Sequence, residues 1–154
     1  MEDKYKCNLS EVEGFGRTLS EQLGSEKFVM WLDGPLGAGK TALVGAIMRG
    51  LGLDDRVPVT SPTYTIMNEY RINGKWYGHL DLYRAESDSI LEEIGALDAK
   101  EYLGMFIEWP QNVGDGTDIV PTHKISIKIS SHEDREYIIQ DLSETDHNTS
   151  EPKV

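Results

Sequence analysis

A chain of 154 residues is one domain's worth of sequence, and with 38% hydrophobic and 27% charged residues it has enough apolar mass for a core on a polar exterior. The 15 basic and 27 acidic residues leave a formal net charge of −12, which argues against a sequence-independent nucleic-acid binder, whose surface must be basic. A single cysteine, Cys7, excludes an internal disulfide and a zinc cluster.

Residues 1–10 lack a signal-peptide core and no apolar run approaches the length of a membrane span, so the expectation is a cytoplasmic protein. Residues 4–9 read as a short edge strand. Ser10 with Glu13 reads as a capping box opening a helix to about Leu23, with Val12, Phe15, Leu19 and Leu23 on one face and Gly24 closing it. Residues 28–32 form a continuous apolar run, the pattern of a strand buried on both faces of a parallel sheet. Residues 34–41 then match G-x-x-x-x-G-K-[ST], and residues 42–51 read as a helix, with Leu43, Ile47 and Leu51 four apart and Gly52 as its stop. Asp54-Asp55-Arg56 is a surface loop.

Two prolines and a hydroxyl cluster exclude a helix at the start of residues 57–70, whose end reads as a strand. Asn73-Gly74 marks a hairpin turn, with residues 76–84 as the return strand. Residues 86–94 and 98–103 read as helices. Residues 104–108 form another buried strand, ending in a carboxylate, and residues 114–116 form a loop. Residues 125–129 alternate strictly, and residues 135–139 return antiparallel from a turn at His132-Glu133-Asp134. Residues 143–154 hold no large apolar residue except the terminal valine and read as a disordered polar tail, leaving residues 1–142 as a single domain. The fold class is α/β, a P-loop NTPase fold whose mixed sheet has a parallel centre and antiparallel edge strands.

The chemistry follows from the loop. Gly37 and Gly39 allow the backbone to wrap a phosphate so that successive N–H groups face its oxygens, and the helix N-terminus adds its dipole. Lys40 reaches the β- and γ-phosphates, and the Thr41 hydroxyl is a Mg²⁺ ligand. Glu108 ends an apolar strand, where α/β sheets place their ligands, and serves as the second metal group or orients water; P-loop sites usually carry an aspartate there. Asp81 lies inside an otherwise apolar strand with His79 and Tyr83 on its face, and needs a metal or a His or Arg partner to be buried. His79 reads as a structural hydrogen-bonder. Thr60, Ser61 and Thr63 offer hydroxyls in a proline-pinned loop, either a segment that orders around the γ-phosphate or a rigid turn. Trp109 is a wall of the site or part of the core. These residues leave three activities open: an ATPase, a small-molecule kinase, and a non-catalytic nucleotide-dependent switch.

The succession Leu36-Gly37-Ala38-Gly39-Lys40-Thr41, Ser61-Pro62-Thr63-Tyr64, His79-Leu80-Asp81-Leu82-Tyr83-Arg84 and Ile107-Glu108-Trp109-Pro110 resembles the bacterial tRNA threonylcarbamoyladenosine biosynthesis family TsaE over roughly residues 8–140. The resemblance implies a Mg²⁺-dependent ATPase, weak alone, that works with the proteins TsaB and TsaD to place threonylcarbamoyl on adenosine 37 of tRNA, the tRNA being touched only through the partners. It implies that Leu36, Gly37, Ala38, Gly39, Lys40 and Thr41 wrap the phosphates of ATP and that Thr41 and Glu108 ligate Mg²⁺. Lys40, Asp81 and Glu108 are then the catalytic residues, Trp109, Asp134 and Arg135 lie at the nucleotide, and Thr60, Ser61, Pro62, Thr63 and Tyr64 form the switch and partner segment. The chain departs from the family pattern at Pro35, where an acidic residue is usual, at Val12, where a threonine is, and at Asp134, where a glycine is.

Overall fold

The apolar runs become the middle of a sheet. The computed structural model describes residues 2–62, 67–83, 101–112 and 120–142. Seven strands, β1 (Glu2–Asn8), β2 (Phe28–Asp33), β3 (Met67–Ile72), β4 (Lys75–Asp81), β5 (Tyr102–Glu108), β6 (His123–Ile129) and β7 (Asp134–Asp141), form one sheet in the order β1-β7-β6-β2-β5-β4-β3. β6, β2, β5 and β4 run parallel, while β1 with β7, β7 with β6, and β3 with β4 are antiparallel. This is the expected mixed sheet.

The parallel register places Leu32 beside Glu108, and Glu108 beside Asp81. Three strands therefore end at one level, and both carboxylates stand at the C-terminal edge. Asn73 (φ 51°) and Gly74 (φ 79°) turn the hairpin with both central residues left-handed, as Asn-Gly favours.

Helices α1 (Val12–Leu23) and α2 (Lys40–Leu51) join one face of the sheet in the main core, where Phe15, Leu19, Leu43 and Ile47 pack with Met30, Leu32 and Phe106. They approach closely because of a glycine. A Cβ on Gly16 would lie 2.4 Å from Ala46 Cβ and 2.6 Å from the Ala46 carbonyl carbon. Gly16→Ala is therefore expected to lower stability by about 1–3 kcal/mol, read as a depressed melting temperature, because backbone rather than a flexible side-chain tip must move.

Three expectations need correction. The capping box lies two residues earlier than Ser10 and Glu13: the Asn8 side chain accepts from the Ser10 amide at 2.9 Å, and Glu11 accepts from the Asn8 amide at 2.8 Å. That box starts a 3-10 turn that runs into α1, and Glu13 instead pairs with Arg49. Tyr102 and Leu103 are strand, not helix, since β5 extends its pairing with β4 back to Trp76 and the Tyr102 hydroxyl donates to Glu69 at 2.9 Å. β4 stops at Asp81, so Tyr83 lies beyond the strand. The expected helix at 86–94, the start of the one at 98–103, the loop at 114–116 and the tail at 143–154 lie outside the described residues.

Candidate nucleotide site

The loop between β2 and α2 takes its shape from two glycines. Gly37 (φ 80°) and Gly39 (φ 100°) adopt a backbone that a side chain would strain, and Gly39 caps α2. Behind the loop lies Arg135. It is 7% exposed, and its Nε donates to the Ala38 carbonyl at 3.1 Å and its Nη2 to the Gly37 carbonyl at 3.4 Å. Its Nη1 donates to the Ser131 carbonyl at 3.0 Å, so β7 and the turn before it brace the loop. Arg135→Met is expected to depress the melting temperature, since hydrogen bonds from a charged donor are each worth roughly 1.5–3 kcal/mol and their loss frees the loop.

Lys40 begins α2, is 6% exposed, donates through Nζ to the Gly34 carbonyl and lies 3.9 Å from the centroid of the Trp109 ring. Burial lowers its pKa, while Glu108, Asp81 and Asp33 oppose the shift. A buried ammonium held by a carbonyl and a ring is suited to an incoming anion. Trp109 adopts φ 59°, an uncommon backbone for a bulky residue, and its ring packs against Tyr83 with centroids 4.8 Å apart and planes tilted by 44°.

Next to it, Thr41 Oγ1 donates to Glu108 Oε2 at 2.8 Å, and the same oxygen meets His79 Nε2 at 2.5 Å. Glu108 is 3% exposed and His79 is wholly buried. Asp81, also buried, accepts from Ser61 Oγ at 2.8 Å and from the Tyr83 amide at 2.9 Å. Asp81 thus meets a loop hydroxyl and a backbone amide, while His79, two residues earlier, serves Glu108.

These groups line one open cleft of about 470 Å³, formed by residues 36–42 with Ser61, Asp81, Tyr83, Glu108 and Trp109. A smaller hollow of about 230 Å³ contains His123 and Asp141 and holds none of the motif residues. The donor set of the larger cleft fits ATP with Mg²⁺: a glycine cradle and a buried cation for phosphate, and a hydroxyl–carboxylate pair for the metal. Among the described residues no group of three or more His, Cys, Asp or Glu could hold a metal alone. Mg²⁺ itself takes one or two protein carboxylates and completes its shell with phosphate and water.

Of the residues expected at the site, Asp134 is not brought into this cleft. It is exposed and accepts from Ser131 Oγ at 2.8 Å. Arg135 reaches the loop's carbonyls from behind. Of the expected switch segment, Ser61 lines the cleft, Thr60 is exposed and Pro62 is buried, while Thr63 and Tyr64 lie outside the described residues. Tyr83 and the pairing of His79 with Glu108 were not assigned from sequence. Their signal in the sequence is the short motif they share with Asp81 and the alternation that puts both on its face, which names no partner for either.

The family model for the threonylcarbamoyl adenosine biosynthesis protein TsaE matches residues 7–138, a span holding every motif from the phosphate loop to Arg135. The chain belongs to the TsaE family. The tRNA threonylcarbamoyladenosine biosynthesis protein TsaE of Haemophilus influenzae is 38% identical over 125 residues, which are 78% of this chain and 76% of that one. TsaE of Synechocystis is 37% identical over 114 residues, covering 69% of this chain and 68% of its own. The crystal structure of YdiB from Bacillus subtilis superposes with a TM-score of 0.69 over 99% of this chain and 93% of that one; at 23% identity it speaks for the fold alone. Among the described residues no helix is long and apolar enough to cross a membrane.

Proposed function

We propose that this TsaE-family chain is a cytoplasmic, Mg²⁺-dependent ATPase. It supports a complex with TsaB and TsaD that transfers threonylcarbamoyl to adenosine 37 of tRNA. The observation that carries the reading is the Thr41–Glu108 hydrogen bond at 2.8 Å beside the buried Lys40, a metal pair and a phosphate cation in one cleft. Lys40 binds phosphate oxygens, exchanging the Gly34 carbonyl for an anion. Thr41 and Glu108 would hold Mg²⁺, which would supply charge neutralisation at the phosphates. Asp81 accepts a hydrogen bond from a water and orients it, with Ser61 tying the loop after α2 to that carboxylate. Tyr83 and Trp109 wall the cleft. The acidic chain contacts proteins while a partner holds the tRNA.

A kinase would call for a cluster of cations over the transferring phosphate. Among the described arginines, Arg49 pairs with Glu13, Arg56 with Asp54, Arg71 lies over the Trp76 ring and Arg135 holds loop carbonyls, and neither these nor Arg17 line the cleft, which favours release of phosphate to water. The test is phosphate release from ATP by the full chain, alone and with the two partners, for wild type, Lys40→Ala and Glu108→Ala. Wild-type turnover above both variants is expected. Turnover no greater than theirs in both settings overturns the reading.

A further inference from the structure

Two donors from different elements converge on one oxygen of Glu108. Thr41 approaches Oε2 from α2 at 2.8 Å, and His79 approaches it from β4 at 2.5 Å. A carboxylate oxygen accepts only, so Nε2 of the ring carries the proton. The opposite ring nitrogen, Nδ1, is buried with no hydrogen-bond partner among the described residues. Burying an imidazole with one nitrogen unmatched costs free energy. What the ring returns for that cost passes through Nε2 to Glu108.

The register explains why a ring is needed there. Asp81 stands beside Glu108 across the β4–β5 ladder, and His79, two residues earlier on the same face of β4, stands beside Phe106. A glutamate is one methylene longer than the aspartate usual at this strand end, and the extra torsion gives its carboxylate more orientations. Meeting the His79 donor removes that freedom. We infer that His79 is a positioning residue for Glu108: its Nε2–H fixes the carboxylate so that a glutamate presents the metal-binding geometry at this strand end. The inference rests on the reading of Glu108 as a magnesium group, and it adds a residue that acts through Glu108 and touches neither nucleotide nor metal.

The test compares His79→Gln, whose amide nitrogen can occupy the place of Nε2, with His79→Asn and His79→Leu, which supply no donor there. Glu108→Gln serves as reference. The full chain is assayed with its partners. His79→Leu and His79→Asn are expected to raise the Mg²⁺ concentration for half-maximal turnover and to lower kcat, each about tenfold, the lower end of what losing a ligand's hydrogen-bond partner does. ATP binding measured in EDTA should stay within about twofold of wild type, as expected when only a ligand's orienting partner is lost, and His79→Gln should recover most of the loss. Nitrogen-15 spectra of the metal-free chain should show a slowly exchanging Nε2 proton on His79 that moves in Glu108→Gln. A wild-type Mg²⁺ requirement and kcat in His79→Leu, or no such proton, overturns the inference. So does equal impairment of all three His79 variants with loss of ATP binding in EDTA, which marks a merely structural ring. If Glu108→Gln turns over like wild type, the magnesium reading falls and the inference with it. An inactive Glu108→Gln beside a normal His79→Leu removes the inference alone.

Discussion

Lys40→Met is expected to weaken ATP binding by roughly 100- to 10,000-fold while leaving the nucleotide-free chain at least as stable as wild type. The loss follows from the two or so charge-assisted hydrogen bonds an ammonium makes to phosphate oxygens, roughly 1.5–3 kcal/mol each, at 1.4 kcal/mol per decade of affinity. The stability follows from linkage. Burial lowers the folded-state pKa of Lys40 below its unfolded value. Between those two values the unfolded chain binds more protons, so stability rises with pH there, and at neutral pH the full penalty of a desolvated cation remains. Methionine removes the charge and keeps an apolar stem beside the Trp109 ring, with which Lys40 is in contact. Calorimetric titration and thermal melting without nucleotide check both halves. A variant that melts well below wild type would show that the Gly34 carbonyl contact stabilises more than desolvation costs.

Glu108→Gln is expected to cut ATP turnover by roughly 100-fold or more, because a bound metal supplies several kcal/mol of transition-state charge stabilisation and a glutamine is a poor ligand for it. Nucleotide binding without Mg²⁺ should be kept. Glu108→Ala should lose the same turnover and also fold less stably. It leaves the Thr41 hydroxyl and the wholly buried His79 Nε2–H without their acceptor, each costing about 1–3 kcal/mol, whereas the glutamine keeps an acceptor oxygen. The difference in melting temperature between the two variants reads that buried network directly, and their shared loss of turnover reads the chemistry.

The parts of the site legible in the sequence are those whose meaning is local. The glycines, lysine and threonine of residues 34–41 act within one turn of chain, and Glu108 announces itself as a charge closing an apolar strand. The parts that were not legible are made by distant segments. Asp81 finds Ser61, 20 residues away, and Arg135 finds Ala38, 97 residues away, through a strand order that no local pattern encodes. His79 was rightly read as a hydrogen-bonder, but its partner depends on the β4–β5 register. Asn8 to Glu11 and Ser10 to Glu13 carry the same capping-box spacing, and the pairing of β1 with β7, which ends at Asn8, chooses the first. Tyr102 misled in another way, since its burial in β5 comes from neighbours in β4 and β3 and not from a period within its own segment.

The central claim is that this cleft powers threonylcarbamoyl transfer, and the direct measurement is the yield of threonylcarbamoyladenosine at position 37 of tRNA over repeated turnovers. The chain is reconstituted with TsaB, TsaD, substrate and Mg·ATP, and compared with its Glu108→Gln form. The account predicts sustained product with wild type and product limited to about one equivalent of complex or less with the variant. Equal sustained yields with both would contradict it.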